Sequence, residues 1–280
     1  MHKRTIQHSI SISGIGQYTG KIVNITLKSA QVNTGIIFKR VDVKNAKHNE
    51  NIIKIGDQNN TYDTAHLNTK ISNNNISIIM VEHLLSSLYA MRITDIEIEL
   101  DGEEIPMLDG GASYWIFLLR CAGVKEFDEK IEFIEINREF SVDNGYAVIT
   151  AKPYDGLKIT YEIDFDCKTI GKNTYTFDID KQNYFIDISL ARTFCTTEQV
   201  ENHKKLKKHF SNTDIVIYSD SKVSTANGIL YFKNEPTRHK ILDILGDFMH
   251  CGKFIKGEFI CKKSGHSLNR TLVEEILKHF

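Results

Sequence analysis

The chain has 280 residues, of which 41% are hydrophobic and 25% charged, with a formal net charge of −1. That is enough chain for one large domain or two compact ones with real cores, and the composition is that of a soluble globular protein. The charge balance excludes a global basic field that would recruit nucleic acid, and no apolar stretch has the length of a signal peptide or membrane span; Ile76–Val81 comes nearest and is far too short.

In chain order, Val23, Ile25 and Leu27 alternate with Asn24, Thr26 and Lys28, which predicts a strand with one buried face. The Asn-rich stretches 45–60 and 72–75 are expected as loops between strands. A helix is predicted over 82–91, then a strand in which Ile96, Ile98 and Leu100 alternate with acidic residues, then a helix over 112–122. The charged stretch 125–130 is expected as a linker. Beyond it, Leu157, Ile159, Tyr161, Ile163 and Phe165 mark a long half-buried strand. Helices are predicted over 196–208, 238–252 and 267–279. Two halves result, 1–127 and 128–280, each mixing several strands with helices, an α+β order rather than a doubly wound parallel sheet.

The five cysteines, Cys121, Cys167, Cys195, Cys251 and Cys261, are scattered and never form a CxxC pair. This argues against a disulfide framework or a Cys-rich zinc knuckle and points to a reducing, cytoplasmic compartment. Any metal would be held by His and carboxylates.

The helix over 238–252 is the most informative. At about 100° per residue, His239, Asp243, Gly246, Asp247 and His250 share one arc, and Ile241, Leu242, Ile244, Leu245, Phe248 and Met249 the other. His239 and Asp243 are i and i+4, so their side chains converge, a pairing that suits zinc if a third ligand arrives from elsewhere, with Asp247 placed to orient a neighbour. The same arc also fits a solvated face of a surface helix. Glu82-His83 opens an earlier helix: one residue could bind a metal while the other addresses its water, or Glu82 could simply complement the helix dipole. His266 follows Gly265 before the last helix, a placement for a cationic donor to an oxyanion or leaving amine, or for a structural helix start. Lys204, Lys205, Lys207 and Lys208 read as a solvated basic helix end, and Asp109-Gly110-Gly111-Ala112 as a tight turn into a helix. No P-loop, nucleophile elbow or dinucleotide fingerprint is present.

The motifs become specific in combination. Val81-Glu82-His83-Leu84, Ile105-Pro106-Met107-Leu108-Asp109-Gly110, Ala191-Arg192-Thr193-Phe194, Arg238-His239-Lys240-x-Leu242-Asp243-x-x-Gly246-Asp247 and Lys263-Ser264-Gly265-His266-x-Leu268-Asn269 resemble, in that order, the UDP-3-O-acyl-N-acetylglucosamine deacetylase family of lipid A biosynthesis. The opening segment, from Arg4-Thr5 through Gly14-x-Gly16 to Arg40, is similar too, so the resemblance spans nearly the whole chain. It implies two similar α+β domains, each a mostly antiparallel sheet packed on two helices, with the active site between them. It implies a cytoplasmic, monomeric zinc hydrolase that removes acetate from the UDP-sugar, with no nucleic-acid partner and no transmembrane segment. By the resemblance, His83, His239 and Asp243 hold zinc, a donor set that also tolerates ferrous iron. Glu82 is the general base, His266 assists the oxyanion and leaving amine, Thr193 contacts the carbonyl oxygen and Asp247 orients His266. Phe194 and Lys240 contact substrate, Lys263 a phosphate, and Asp164-Phe165 the uracil. Residues 195–217 would form the passage for the acyl chain. The sequence departs from the family in two places of note: Tyr18 stands where a His is usual, and 207–212 replaces a Gly-Gly-Ser segment.

Overall fold

Period-two alternation produces two sheets with the same strand order. The computed structural model describes residues 1–44, 49–64, 68–205 and 215–280. In the first half, strands Ile10–Ile15, Ile22–Ser29, Ile96–Leu100, Ile36–Arg40 and Ile52–Lys54 lie side by side. In the second, Phe140–Asp143, Val148–Lys152, Phe254–Lys262, Leu157–Asp164 and Lys172–Asp178 do the same, with Phe133–Glu135 laid beside Phe254–Lys262. In both sheets the central strand is the last formed along the chain. It runs antiparallel to one neighbour and parallel to the other. Each half adds a small three-stranded sheet: Thr61–Asp63, Lys70–Ser72 and Ser77–Ile79 in the first, Phe194–Thr196, Val216–Tyr218 and Val223–Ser224 in the second.

Helices α1 (Glu82–Met91) and α2 (Ser113–Ala122) precede and follow the central strand of the first half. The short α3 (Tyr184–Asp187) and α4 (Thr197–Lys205) come next, and α5 (Glu235–Phe248) and α6 (His266–Leu277) precede and follow the central strand of the second half. The fold is therefore the expected α+β arrangement of mostly antiparallel sheets. A single apolar core runs through both halves, from Leu27, Phe38 and Ile98 through Leu84 and Leu88 to Leu245, Phe248 and Phe259. Truncating one such residue to Ala costs about 2–5 kcal/mol.

Helices α1 and α5 meet at the centre. A Cβ on Gly246 would lie 2.8 Å from the Glu82 carbonyl carbon and closer still to its oxygen, so only glycine permits this approach. The contact also settles the polar arc of α5. His239, Asp243 and Asp247 are 2%, 3% and 1% exposed, which excludes a solvated surface face. His250 leaves the arc: it lies in the 3-10 turn Met249–Cys251 that ends α5, its ring 4.7 Å from that of Tyr62.

Several boundaries differ from expectation. The stretch expected as a linker is a strand, Val124–Lys130, paired antiparallel with His2–Ile6. Its alternation was invisible because most of its side chains on both faces meet solvent, and charge satisfies such a ribbon. The Asn-rich loop contains the edge strand Ile52–Lys54, while 45–48 lie outside the described residues. Helix α5 begins three residues early because Pro236 sits in its first turn, where a missing N–H costs nothing. Residues 206–208 of the helix predicted over 196–208 lie outside the described residues. Among the described residues, no helix is long and apolar enough to cross a membrane.

Candidate active site

Strand Ser77–Ile79 delivers the chain to Met80, whose φ of 64° is left-handed, and the turn there aims the start of α1 inward. Glu82 and His83 occupy the first turn of α1, 2% and 4% exposed. Facing them, α5 presents His239 and Asp243. One potential ligand atom from each of His83, His239 and Asp243 lies within 4.8 Å of the others. Nε2 of His239 is 3.3 Å and Nε2 of His83 3.9 Å from Asp243 Oδ1. The two imidazoles meet edge to face, with centroids 5.0 Å apart.

The protonation states suit ligands. His239 Nδ1–H donates to the Ala191 carbonyl at 3.0 Å, which leaves its Nε2 lone pair directed at the cluster. Burial, reinforced by His239, pushes His83 down to about 3, so its ring is neutral. Burial likewise lowers His239. Burial alone would raise Asp243, but His239, Lys240, His266 and His83 outweigh it and hold the carboxylate well below its usual range. Lys240 Nζ donates to Asp243 Oδ2 at 2.8 Å and leaves Oδ1 for the imidazoles. Two neutral imidazoles and an ionised carboxylate converging in a buried wall are a donor set that fits a divalent zinc or iron ion.

On the other side of the cluster stands His266, the first residue of α6. Its Nδ1 lies 2.9 Å and 3.0 Å from the two oxygens of Asp247, so Nε2 is free toward the cleft, 3.9 Å from Asp243 Oδ2. Burial disfavours the imidazolium, but Asp247, Asp243 and Glu82 reverse this and push His266 up to about 9. Asp247 itself is 1% exposed and also accepts from Asn269 Nδ2 at 2.8 Å. Ser264 Oγ in turn donates to Asn269 Oδ1, and Tyr161 Oη to the Ser264 carbonyl, which fixes the loop before His266. Burial raises the Glu82 carboxyl to about 7 despite the nearby His266. The Glu82 carboxyl and the His266 imidazole are thus both shifted toward higher proton affinity, the first to about 7 and the second to about 9.

A cleft of about 420 Å³ opens over these groups. Thr193 lines it, its loop anchored to the first half by Thr193 N–H donating to Gly110 O at 2.7 Å. The segment 109–112 is the expected tight turn: Asp109 accepts from Gly111 N and from Ser113 Oγ, Gly110 N–H donates to Met107 O and Ala112 N–H to Ser189 O. Phe194 and Phe165 line the same cleft with rings 5.5 Å apart, and Lys240 Nζ is 5.7 Å from the Phe194 ring. Lys263 also lines it, paired at 2.7 Å with Asp164 at the rim. Of the named site residues, Asp164 and Asp247 do not line the cleft; Asp247 lies behind His266. Of the segment expected to hold the acyl chain, Cys195, Gln199 and Ile215 line the cleft, and 206–214 lie outside the described residues. That range includes Lys207 and Lys208 of the basic stretch; nothing is described of the side chains of Lys204 and Lys205.

Sequence reasoning gave no role to Thr69, Asn269, Tyr146 or the Ala191 carbonyl, all of which touch the site or line its cleft. Asn269 lay inside a quoted motif; for Thr69 no sequence signal exists, since its neighbours form no pattern. Tyr18 also lines the cleft, its phenol pushed up to about 12 by burial, against a hydrogen bond with Asn68.

A buried His-His-Asp donor set beside a buried glutamate and a carboxylate-held histidine fits the class of metal-dependent hydrolases. A family model described as UDP-3-O-acyl N-acetylglycosamine deacetylase matches residues 3–278. UDP-3-O-acyl-N-acetylglucosamine deacetylases from Hamiltonella defensa and Histophilus somni are each 35% identical over 281 residues, covering 99% of this chain and 90% of theirs. That of Hahella chejuensis is 33% identical over 279 residues, 98% of this chain and 90% of its own. The chain belongs to the UDP-3-O-acyl-N-acetylglucosamine deacetylase family, hydrolases of an amide in lipid A biosynthesis.

Proposed function

We propose that this chain removes acetate from UDP-3-O-acyl-N-acetylglucosamine, with the three-donor cluster as its metal site and Glu82 and His266 as its base and acid. A zinc ion held by His83, His239 and Asp243 would supply Lewis acidity to the amide carbonyl and acidify a water. Glu82 takes the proton of the attacking water on its carboxylate. Thr193 Oγ1 donates to the carbonyl oxygen as charge develops there. His266 Nε2 then donates to the glucosamine nitrogen as the C–N bond breaks, and acetate leaves. Asp247 holds Nδ1–H throughout, keeps the ring oriented and favours its cationic form until Nε2 gives up its proton.

Around this chemistry, Phe194 and Lys240 contact the sugar and acyl portions, Phe165 stacks on uracil, and Lys263 meets a phosphate once released from Asp164. The two halves act as two domains. Their repeated strand order supports a division into 1–127 and 128–280. All five cysteines are free, in keeping with a cytoplasmic monomer.

The observation that carries the reading is the meeting of His83 from one half with His239 and Asp243 from the other, with Glu82 adjoining. The test is metal content together with acetate release from the UDP-sugar by wild type and Glu82→Ala. One zinc or iron per chain in both, with turnover only in the wild type, is the expected result. Metal without turnover in the wild type would indicate a different N-acyl substrate, and absence of metal would sink the reading.

A further inference from the structure

Thr69 lies thirteen positions before Glu82 in sequence and is fully buried at the floor of the site. Among the described residues, it reaches toward both Glu82 and His266. Its amide N–H donates to Glu82 Oε2 at 3.3 Å. Its hydroxyl donates to Asp247 Oδ1 at 3.1 Å and lies 3.4 Å from His266 Nδ1. We propose that Thr69 is a positioning residue that links the base of one half to the acid of the other. This rests on the roles given above to Glu82 and His266.

The argument is one of hydrogen count. A threonine hydroxyl has a single proton. Given to Asp247 Oδ1, it leaves only lone pairs toward His266 Nδ1, so the imidazole must be the donor in its own bond to Asp247. Asp247 then accepts from three directions: the hydroxyl, the imidazole and Asn269 Nδ2. Such a carboxylate cannot rotate, and the His266 ring is held with Nε2 toward the substrate. The amide bond to Glu82 Oε2 meanwhile leaves Oε1 as the atom open to a water proton. Thr69 is itself held, since its carbonyl accepts from Met80 N–H at 3.1 Å in the turn before α1. A movement of base or acid alone would have to break one of these bonds.

The hydroxyl is the part substitution can remove. Thr69→Val keeps the shape and deletes the donor, and Thr69→Ser keeps the donor and deletes a methyl. Kinetics on the UDP-sugar with metal content measured on the same samples would read the effect. Valine should lower kcat roughly 10- to 100-fold, the range of an outer-shell partner, with KM and metal content unchanged. Serine should recover most of that loss. A valine variant at wild-type kcat overturns the inference, as does a serine variant as impaired as valine, because packing alone would then explain both. A fall in bound metal or a rise in KM in the valine variant would equally overturn it. Glu82→Gln is run alongside. If that variant retains turnover, the acid–base reading itself falls, whereas loss in Glu82→Gln with none in Thr69→Val removes only the linking role.

Discussion

The two halves share a strand order and a helix–strand–helix unit, yet they contribute differently. In the first, the helix before the central strand supplies its chemistry from its first turn, at Glu82 and His83. In the second, the corresponding helix supplies His239, Asp243 and Asp247 from its second turn to its last. The helices after the central strands differ as well. α6 opens on His266, whereas α2 opens at Ser113, whose hydroxyl is spent on Asp109. On the proposed roles, one scaffold brings a base and one ligand from one copy and two ligands and an acid from the other. The lesson is that the repeat fixes where helix starts and faces point, and the side chains placed there divide the labour.

The largest expected effects test that division. Glu82→Ala should lower kcat roughly 10²- to 10⁴-fold in an acetate-release assay, the usual worth of a positioned base. If base and acid work as a pair, adding His266→Ala to it should cost far less than the two single losses multiplied. Full additivity would mean that the halves act independently.

Next comes the seam. Gly246→Ala places a methyl against the Glu82 carbonyl, and α1 must shift away from α5. A loss of about 3 kcal/mol in a urea titration is expected, together with reduced metal content, from overpacking at a site that cannot relax. Unchanged stability and metal would show that the halves do not depend on this contact.

The helix ends separate the halves in another way. α1 stops at Arg92, which reaches Asp180, whereas α5 runs into His250, buried with neither ring nitrogen hydrogen-bonded. Burial, aided by His266 and Arg270 and opposed by Asp247, pushes His250 down to about 4. The neutral ring is the folded form, so the unfolded chain binds the extra proton between about pH 6.5 and pH 4. Stability contributed here is full above the unfolded value and falls as pH drops through that window. Going from pH 7 to pH 5 should cost about 2 kcal/mol by linkage, and His250→Leu should flatten that acid limb in urea titrations at the two pH values. An equally steep limb in the variant would place the acid sensitivity elsewhere.

The smallest effect lies at the rim. Asp164→Ala frees Lys263 from an exposed ion pair that contributes little to stability. KM for the UDP-sugar should fall about twofold if the lysine serves a phosphate, and a rise would instead favour Asp164 as the direct contact.

Much of this was legible in the sequence. Strands with one buried face announced themselves, as did α1 to the residue, and the α5 arc collected His239, Asp243 and Asp247 before any coordinates. What escaped is what a linear pattern does not encode. The ribbon Val124–Lys130 is solvated on both faces and so shows no alternation. Gly246 appeared on the polar arc, but its reason is a backbone on another helix. Thr69 makes its contacts through an amide and one hydroxyl, and no motif marks it.

The close passage of α1 over Gly246 also bears on how substrate arrives. Because the two halves touch backbone to backbone and share one apolar interior, they do not swing apart like jaws. The potential metal donors sit beside that contact, under a cleft edged by the hairpin bearing Tyr146 and by Phe194, Cys195 and Gln199.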